Sequence, residues 1–225
     1  MSKKSVSAHA EIDHNLLAFI AHESRGPFNG LIGFSELLHS NQTILSPEQQ
    51  ETYTELVHQL AVKSFLQLQT LIVWVKLINN NLTIHPGIID HNEWIQQVVA
   101  SLQVDLTAKN IQVNTTSSSY NFKGDQQLLA IAMANLLYAS LRYIGESSTI
   151  KVDNPTQNKS FSITVNYSED FEGILSGIMN NPDHQNEQNF RVWIAYQIFK
   201  LNGIQVHTTK NIESSVLSLT FNLPS

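Results

Sequence analysis

The run Phe19-Ile20-Ala21-His22-Glu23-Ser24-Arg25-Gly26-Pro27-Phe28-Asn29-Gly30-Leu31-Ile32-Gly33-Phe34-Ser35-Glu36-Leu37-Leu38 decides the fold. In and just before it, apolar residues recur every three or four positions: Ile12, Leu16, Phe19 and Ile20, then Leu31, Phe34, Leu37 and Leu38. That spacing predicts one amphipathic helix over residues 11–40. Only Arg25-Gly26-Pro27 interrupts it. Proline lacks an N–H and its ring meets the carbonyl four residues back, so a kink is expected there, not a strand.

A second helix follows a polar stretch over residues 39–45. Ser46 suits the N-cap, Pro47 the first helical position, and Gln49 completes a capping box. Apolar positions from Tyr53 through Leu56, Val57, Leu60, Phe65, Leu66, Leu68, Leu71, Ile72 and Val75 carry this helix to about residue 79. Two helices of about 30 residues, roughly 45 Å each at 1.5 Å per residue, form an antiparallel hairpin. The second is apolar almost all round near its end, Trp74 included, so the hairpin alone cannot bury it. Two readings satisfy that surface: pairing of two hairpins into a four-helix bundle, the favoured one, or packing on the C-terminal half of the same chain.

Asn79-Asn80-Asn81 and His85-Pro86-Gly87 end the hairpin as a joint. Domains are expected over residues 1–82 and 83–225. In the second, Asp90 with Glu93 caps a helix reaching about residue 108, and further helices are predicted over 125–144 and 190–201. Strands are predicted near 111–115, 149–152, 161–165, 204–208 and 216–221. Consecutive closing strands favour an α+β sandwich with helices on one sheet face.

Composition narrows the function. Of 225 residues only 14% are charged, and polarity comes from 38 Asn and Gln. A formal net charge of -6 argues against a nucleic-acid binder, which needs Lys and Arg for phosphate. Cysteine is absent, excluding disulfides, thiolate metal sites and Cys nucleophiles. The longest apolar run, residues 71–78, is short and contains Lys76, so no membrane span is expected. The N-terminus has charge without an apolar core, which does not fit a secretory signal, and a cytoplasmic location is expected.

The opening run resembles the H-box of two-component sensor histidine kinases, a His-Glu-x-Arg-x-Pro-x-Asn pattern on the first helix of a dimerising hairpin. His22, Glu23, Arg25, Pro27 and Asn29 fall in register, and Gly33-Phe34-Ser35-Glu36-Leu37-Leu38 follows as it often does there. The resemblance implies that His22 is the phosphoacceptor. A neutral imidazole has a nucleophilic nitrogen near neutral pH. Glu23 would accept the other ring N–H and fix the tautomer, and Arg25 would meet phosphate or an acidic partner loop. Pro27 and Asn29 are implied in partner binding. His14, His39 and His58 lack this context and read as ordinary polar-face residues. The family usually has Thr or Asn four residues after the histidine, placing the water that dephosphorylates the partner. Gly26 stands there, so phosphatase activity by that route is not expected.

The rest of the chain resembles the family's ATP-binding domain with its nucleotide residues altered. Residues 124–143 resemble the N-box helix: Asn135 is kept, but Ala139 replaces the asparagine that ligates magnesium, and a methyl group offers no oxygen. After the strand ending at Val165, Asn166-Tyr167-Ser168-Glu169-Asp170-Phe171 stands where Asp-x-Gly-x-Gly should; Asp170 is the candidate substitute for the aspartate, but the glycines are missing. Asn189, Phe190, Arg191 and Val192 stand where the lid reads Gly-Leu-Gly-Leu, with Arg191 left as a cation able to meet an anion.

The chain is therefore similar to dimeric histidine phosphotransferases, with a phosphoacceptor hairpin joined to a degenerate ATPase domain. The implied function is a phosphorelay step between receiver-domain aspartates and His22, without autophosphorylation from ATP. Response-regulator receivers and a second copy of the chain are the implied partners, with no cofactor or metal held by the chain itself. The alternative is a non-catalytic pseudo-histidine-kinase that sequesters a response regulator or partner kinase.

Overall fold

The computed structural model describes residues 14–40, 44–116, 120–153, 160–167, 187–211 and 216–223, with side-chain detail in the first helix beginning at Arg25. Helix α1 (His14–Ser40) runs through Pro27, and α2 (Pro47–Ile78) returns beside it. The capping box forms: the Gln49 N–H donates to Ser46 Oγ at 3.3 Å, and the Ser46 N–H donates to Gln49 Oε1 at 3.0 Å. The two helices approach closely at Gly30, where a Cβ would lie 3.0 Å from Leu60 Cδ1. Phe34 packs against Tyr53 with ring centroids 5.6 Å apart.

Beyond the hairpin come β1 (Gly87–Asp90), α3 (His91–Ser101), α4 (Gln103–Ala108), β2 (Gln112–Thr115), β3 (Asn121–Gly124) and α5 (Gln126–Ser140). Then follow β4 (Thr149–Asp153), β5 (Ser160–Asn166), α6 (Glu187–Leu201), β6 (Gln205–Asn211) and β7 (Val216–Asn222). Five strands form one sheet in the order β2-β4-β5-β7-β6, with β2 and β4 parallel and the other pairs antiparallel. A separate antiparallel pair, β1 with β3, lies apart from it. Alternation sorts the sheet faces. Ile163, Val165, Leu217, Leu219 and Phe221 are buried beneath the helices, against Trp94, Met133, Ile198 and Phe199. The other face carries polar residues such as Thr164 and Ser218, whose hydroxyls lie 3.1 Å apart. The fold is thus the expected α+β arrangement of a helical hairpin followed by an α/β sandwich.

Three details depart from the sequence reading. The expected helix to residue 108 breaks at Leu102 into α3 and α4. Helix α5 stops at Ser140, before the expected residue 144, and Lys109 Nζ reaches over to the carbonyls of Leu141 and Ile144. Strands β1 and β3, four residues each, had no signal of their own.

The wide apolar surface of α2 is split between two directions. Leu66, Val73 and Trp74 are buried against the sandwich of the same chain, while Leu68, Ile72 and Val75 stay exposed on the opposite side and Phe65, also exposed, edges the cleft between α2 and the sandwich. Polar residues such as Gln67, Gln69 and Thr70 interrupt the apolar run of α2, yet averaged over 18 residues it is long and apolar enough to cross a membrane by length and composition. Counting uninterrupted apolar residues understated its hydrophobicity. Of that window 33% is buried within the chain.

Candidate functional site

His22 and Glu23 lie on α1, and their side chains fall outside the described residues. Of the other hairpin residues singled out from sequence, Arg25 and Asn29 are exposed and Pro27 is half-buried. His22, Arg25, Asn29 and Ile32 are spaced by three, four and three residues, so on a 3.6-residue helix these positions share one stripe. The antiparallel register fixes the level. Gly30 meets Leu60 and Phe34 meets Tyr53, so equal rise along both helices brings the α1 backbone at His22 level with Phe65 to Leu68 of α2. Pro27 cannot donate to the carbonyl of Glu23, one turn back. Gly26 is exposed, and a Cβ built on it meets nothing within 4 Å.

The sandwich side of α2 holds the second group of residues picked out from sequence. Asn135 on α5 is fully buried. Its amide oxygen accepts from Arg191 Nη1 at 2.8 Å, and its Nδ2 donates to Thr70 Oγ1 and to the Ile131 carbonyl, each at 2.8 Å. Thr70 Oγ1 in turn donates to the Leu66 carbonyl at 2.8 Å. Arg191, 5% exposed, lies with its guanidinium carbon 4.3 Å over the Tyr138 ring. A buried guanidinium needs such partners, because desolvation without them costs several kcal/mol, roughly.

These contacts correct one expectation and bear on another. Arg191 does not face outward to meet an anion; it points into the molecule, toward α5. The four positions resembling the glycine lid lie on α6, which has already begun by Glu187, instead of in a loop before it. Phe190 and Val192 are buried there, and Phe190 meets Trp74 edge-on at 5.9 Å.

At the two described positions that resemble magnesium-handling residues, the side chains offer no free ligand. Asn135 has its oxygen and both amide hydrogens engaged internally, and Ala139 presents a buried methyl group. Asp170 lies outside the described residues. A cleft of about 460 Å³ between α2, α3 and α5 is lined by Gln69, Gln97, Gln126 and Gln127 over Leu66 and Val98, with no charged side chain to meet a triphosphate. Among the described residues no three His, Asp or Glu come together as a metal site.

Sequence reasoning missed Thr70, Tyr138 and the ion pair of Lys63 with Asp105 on α4, at 2.6 Å. The available signal was a hydroxyl, Thr70, spaced four residues from both Leu66 and Trp74 on a core-facing stripe.

No family model and no curated protein matches the sequence. Solved structures do. The Acinetobacter baumannii histidine kinase AdeS matches with a TM-score of 0.55 at 14% identity, over 90% of this chain and 96% of that one. A bacterial phosphotransferase matches with a TM-score of 0.53 at 14% identity, over 92% of this chain and 94% of its own. The cytoplasmic segment of histidine kinase QseC matches at 0.52 and 17% identity, over 71% of this chain and 95% of that segment. In fold, then, the chain is similar to the cytoplasmic segments of histidine kinases and to a bacterial phosphotransferase: a helical hairpin followed by an α/β sandwich of the kinase catalytic type.

Proposed function

We propose that this protein is a histidine phosphotransfer protein of a two-component phosphorelay, working without ATP-dependent autophosphorylation. His22 takes a phosphoryl group from an aspartyl phosphate on one receiver domain and passes it to the aspartate of another. The observation that carries this reading is the internal use of Asn135. Its amide is spent on Arg191, Thr70 and Ile131, so the N-box remnant is a structural residue, while Arg25 and Asn29 on the hairpin stay open to solvent.

The transfer needs one ring nitrogen. The unprotonated imidazole nitrogen attacks phosphorus, the acyl-phosphate P–O bond breaks, and the receiver's carboxylate is regenerated. Glu23 accepts the other ring N–H and stabilises the positive charge that develops. Arg25 stands one helical turn along and would neutralise the phosphoryl oxygens. Pro27 and Asn29 form the neighbouring partner contact. Magnesium is required at the receiver's carboxylates, and this chain supplies no ligand for it. Residues 1–82 form the phosphotransfer unit and residues 83–225 the ATPase-like unit. Two copies pair through the exposed stripe of α2, so each dimer offers two histidines in the cytoplasm.

The test is transfer of labelled phosphate from a phosphorylated receiver, with His22→Gln as control. Acid-labile label on the parent and none on His22→Gln is the expected result. No acid-labile phosphate on the parent sinks the relay and favours a protein that only binds a receiver or kinase.

A further inference from the structure

The polar chain Arg191–Asn135–Thr70 crosses from the sandwich to the hairpin. Its three members come from α6, α5 and α2, and all three side chains are buried. Buried polar groups are costly unless every link is made, and here the chain ends on a backbone carbonyl of α2 itself, that of Leu66. Flanking it along the same side of α2, Lys63 pairs with Asp105 at 2.6 Å and lies 5.3 Å from the Tyr138 ring centroid. Trp74 meets Phe190 farther along. The Tyr138 ring therefore lies close to two cations, one from each unit, Arg191 and Lys63.

We propose that Thr70, Asn135 and Arg191 form a latch that fixes the sandwich on the hairpin in one orientation, giving the sandwich a positioning role in place of a nucleotide-handling one. Directional, fully buried hydrogen bonds specify a geometry that apolar contacts alone leave free to slide. The connecting segment does not do this work. The His85 N–H is held by Asp125 Oδ2 at 2.8 Å, but that anchor lies seven residues past the end of α2, so it limits reach and leaves tilt open. The latch is independent of whether His22 accepts phosphate, so its failure and the failure of the relay would be told apart.

The chain lacks cysteine, so two introduced cysteines take spin labels cleanly. Glu51 on α2 and Gln205 on β6 are exposed positions on the two units. With labelled protein diluted into excess unlabelled protein, the parent is expected to show one narrow distance. Thr70→Val, which keeps the shape and deletes the hydroxyl, is expected to broaden that distribution at least about twofold, and Thr70→Ser to restore it. Amides over residues 66–74 are expected to exchange at least about fivefold faster in Thr70→Val, which loses the bond from Asn135, about 1 kcal/mol, as well as the local one to the Leu66 carbonyl, with β5 and β7 unchanged. A parent distribution already broad, or one as narrow in Thr70→Val as in the parent, overturns the latch.

Discussion

Leu68→Glu is the perturbation that bears hardest on the paired hairpin. Phe65, Leu68, Ile72 and Val75 are 59%, 48%, 45% and 40% exposed, the last three on the side of α2 facing away from its own sandwich and Phe65 at the edge of the cleft beside it. With on the order of 100 Å² left open on each of the four, pairing two protomers removes about 800 Å² of apolar surface, worth about 20 kcal/mol at roughly 25 cal/mol per Å². Association costs about 4–15 kcal/mol against that, and a mid-range cost leaves about 10 kcal/mol, a sub-micromolar dimer. A two-fold interface places the substitution twice. Each unpaired carboxylate buried there costs about 3 kcal/mol, so the pair of them weakens the dimer by about 10⁴-fold. Sedimentation equilibrium reads the result directly. The parent is expected at twice 25.3 kDa and Leu68→Glu at 25.3 kDa, with an unchanged circular dichroism spectrum. Leu201→Glu, equally half-exposed but on α6, is the control and is expected to remain dimeric. A parent mass of 25.3 kDa at tens of micromolar, or a Leu68→Glu protein still at twice that mass, would refute the reasoning.

Two glycines should respond in opposite directions to alanine. Gly26→Ala adds a methyl with nothing within 4 Å, so better helix propensity should stabilise the fold by up to about 1 kcal/mol in urea unfolding. Gly124→Ala places its Cβ 2.5 Å from Leu129 Cδ1, a side chain that is itself fully buried, and should cost about 1–3 kcal/mol in the same assay. His91 supplies the pH dependence. Its ring is buried, stacked on Tyr120 at 4.7 Å and tilted against Phe161 at 5.2 Å, and burial holds its pKa below 6.5 although Asn92 and Asp90 pull it up. The neutral ring's contribution is complete above the unfolded value of about 6.5 and is lost as pH falls toward the folded one. The melting temperature of the parent should therefore fall between pH 7 and 5.5 more steeply than that of His91→Phe; parallel curves would remove His91 from the account.

What the sequence made legible follows from the range of the interactions involved. The Ser46 and Asp90 caps and the period of α1 and α2 are set within four residues, and each formed where local spacing put it; Asp125, read as the first helical residue, is instead the N-cap of α5. Strands β1 and β3 were illegible because four residues hold too little alternation, and their pairing joins Gly87 to Gly124 across the intervening chain. Arg191 shows the deeper limit. Its residue type announces a cation, and a cation beside lid-like positions reads naturally as a phosphate ligand. Whether it faces outward is decided by Asn135, 56 positions earlier, and by Thr70, 65 positions earlier still, neither of which any local pattern connects to it. Desolvating a guanidinium is tolerable only when an amide oxygen and an aromatic face wait inside, and here both do. The same contacts that close off Asn135 also reach α2, because its oxygen accepts from Arg191 while its Nδ2 donates to Thr70 Oγ1. On that argument Arg191→Gly, which restores the residue type of the lid, would loosen the hairpin before it recovered any affinity for nucleotide.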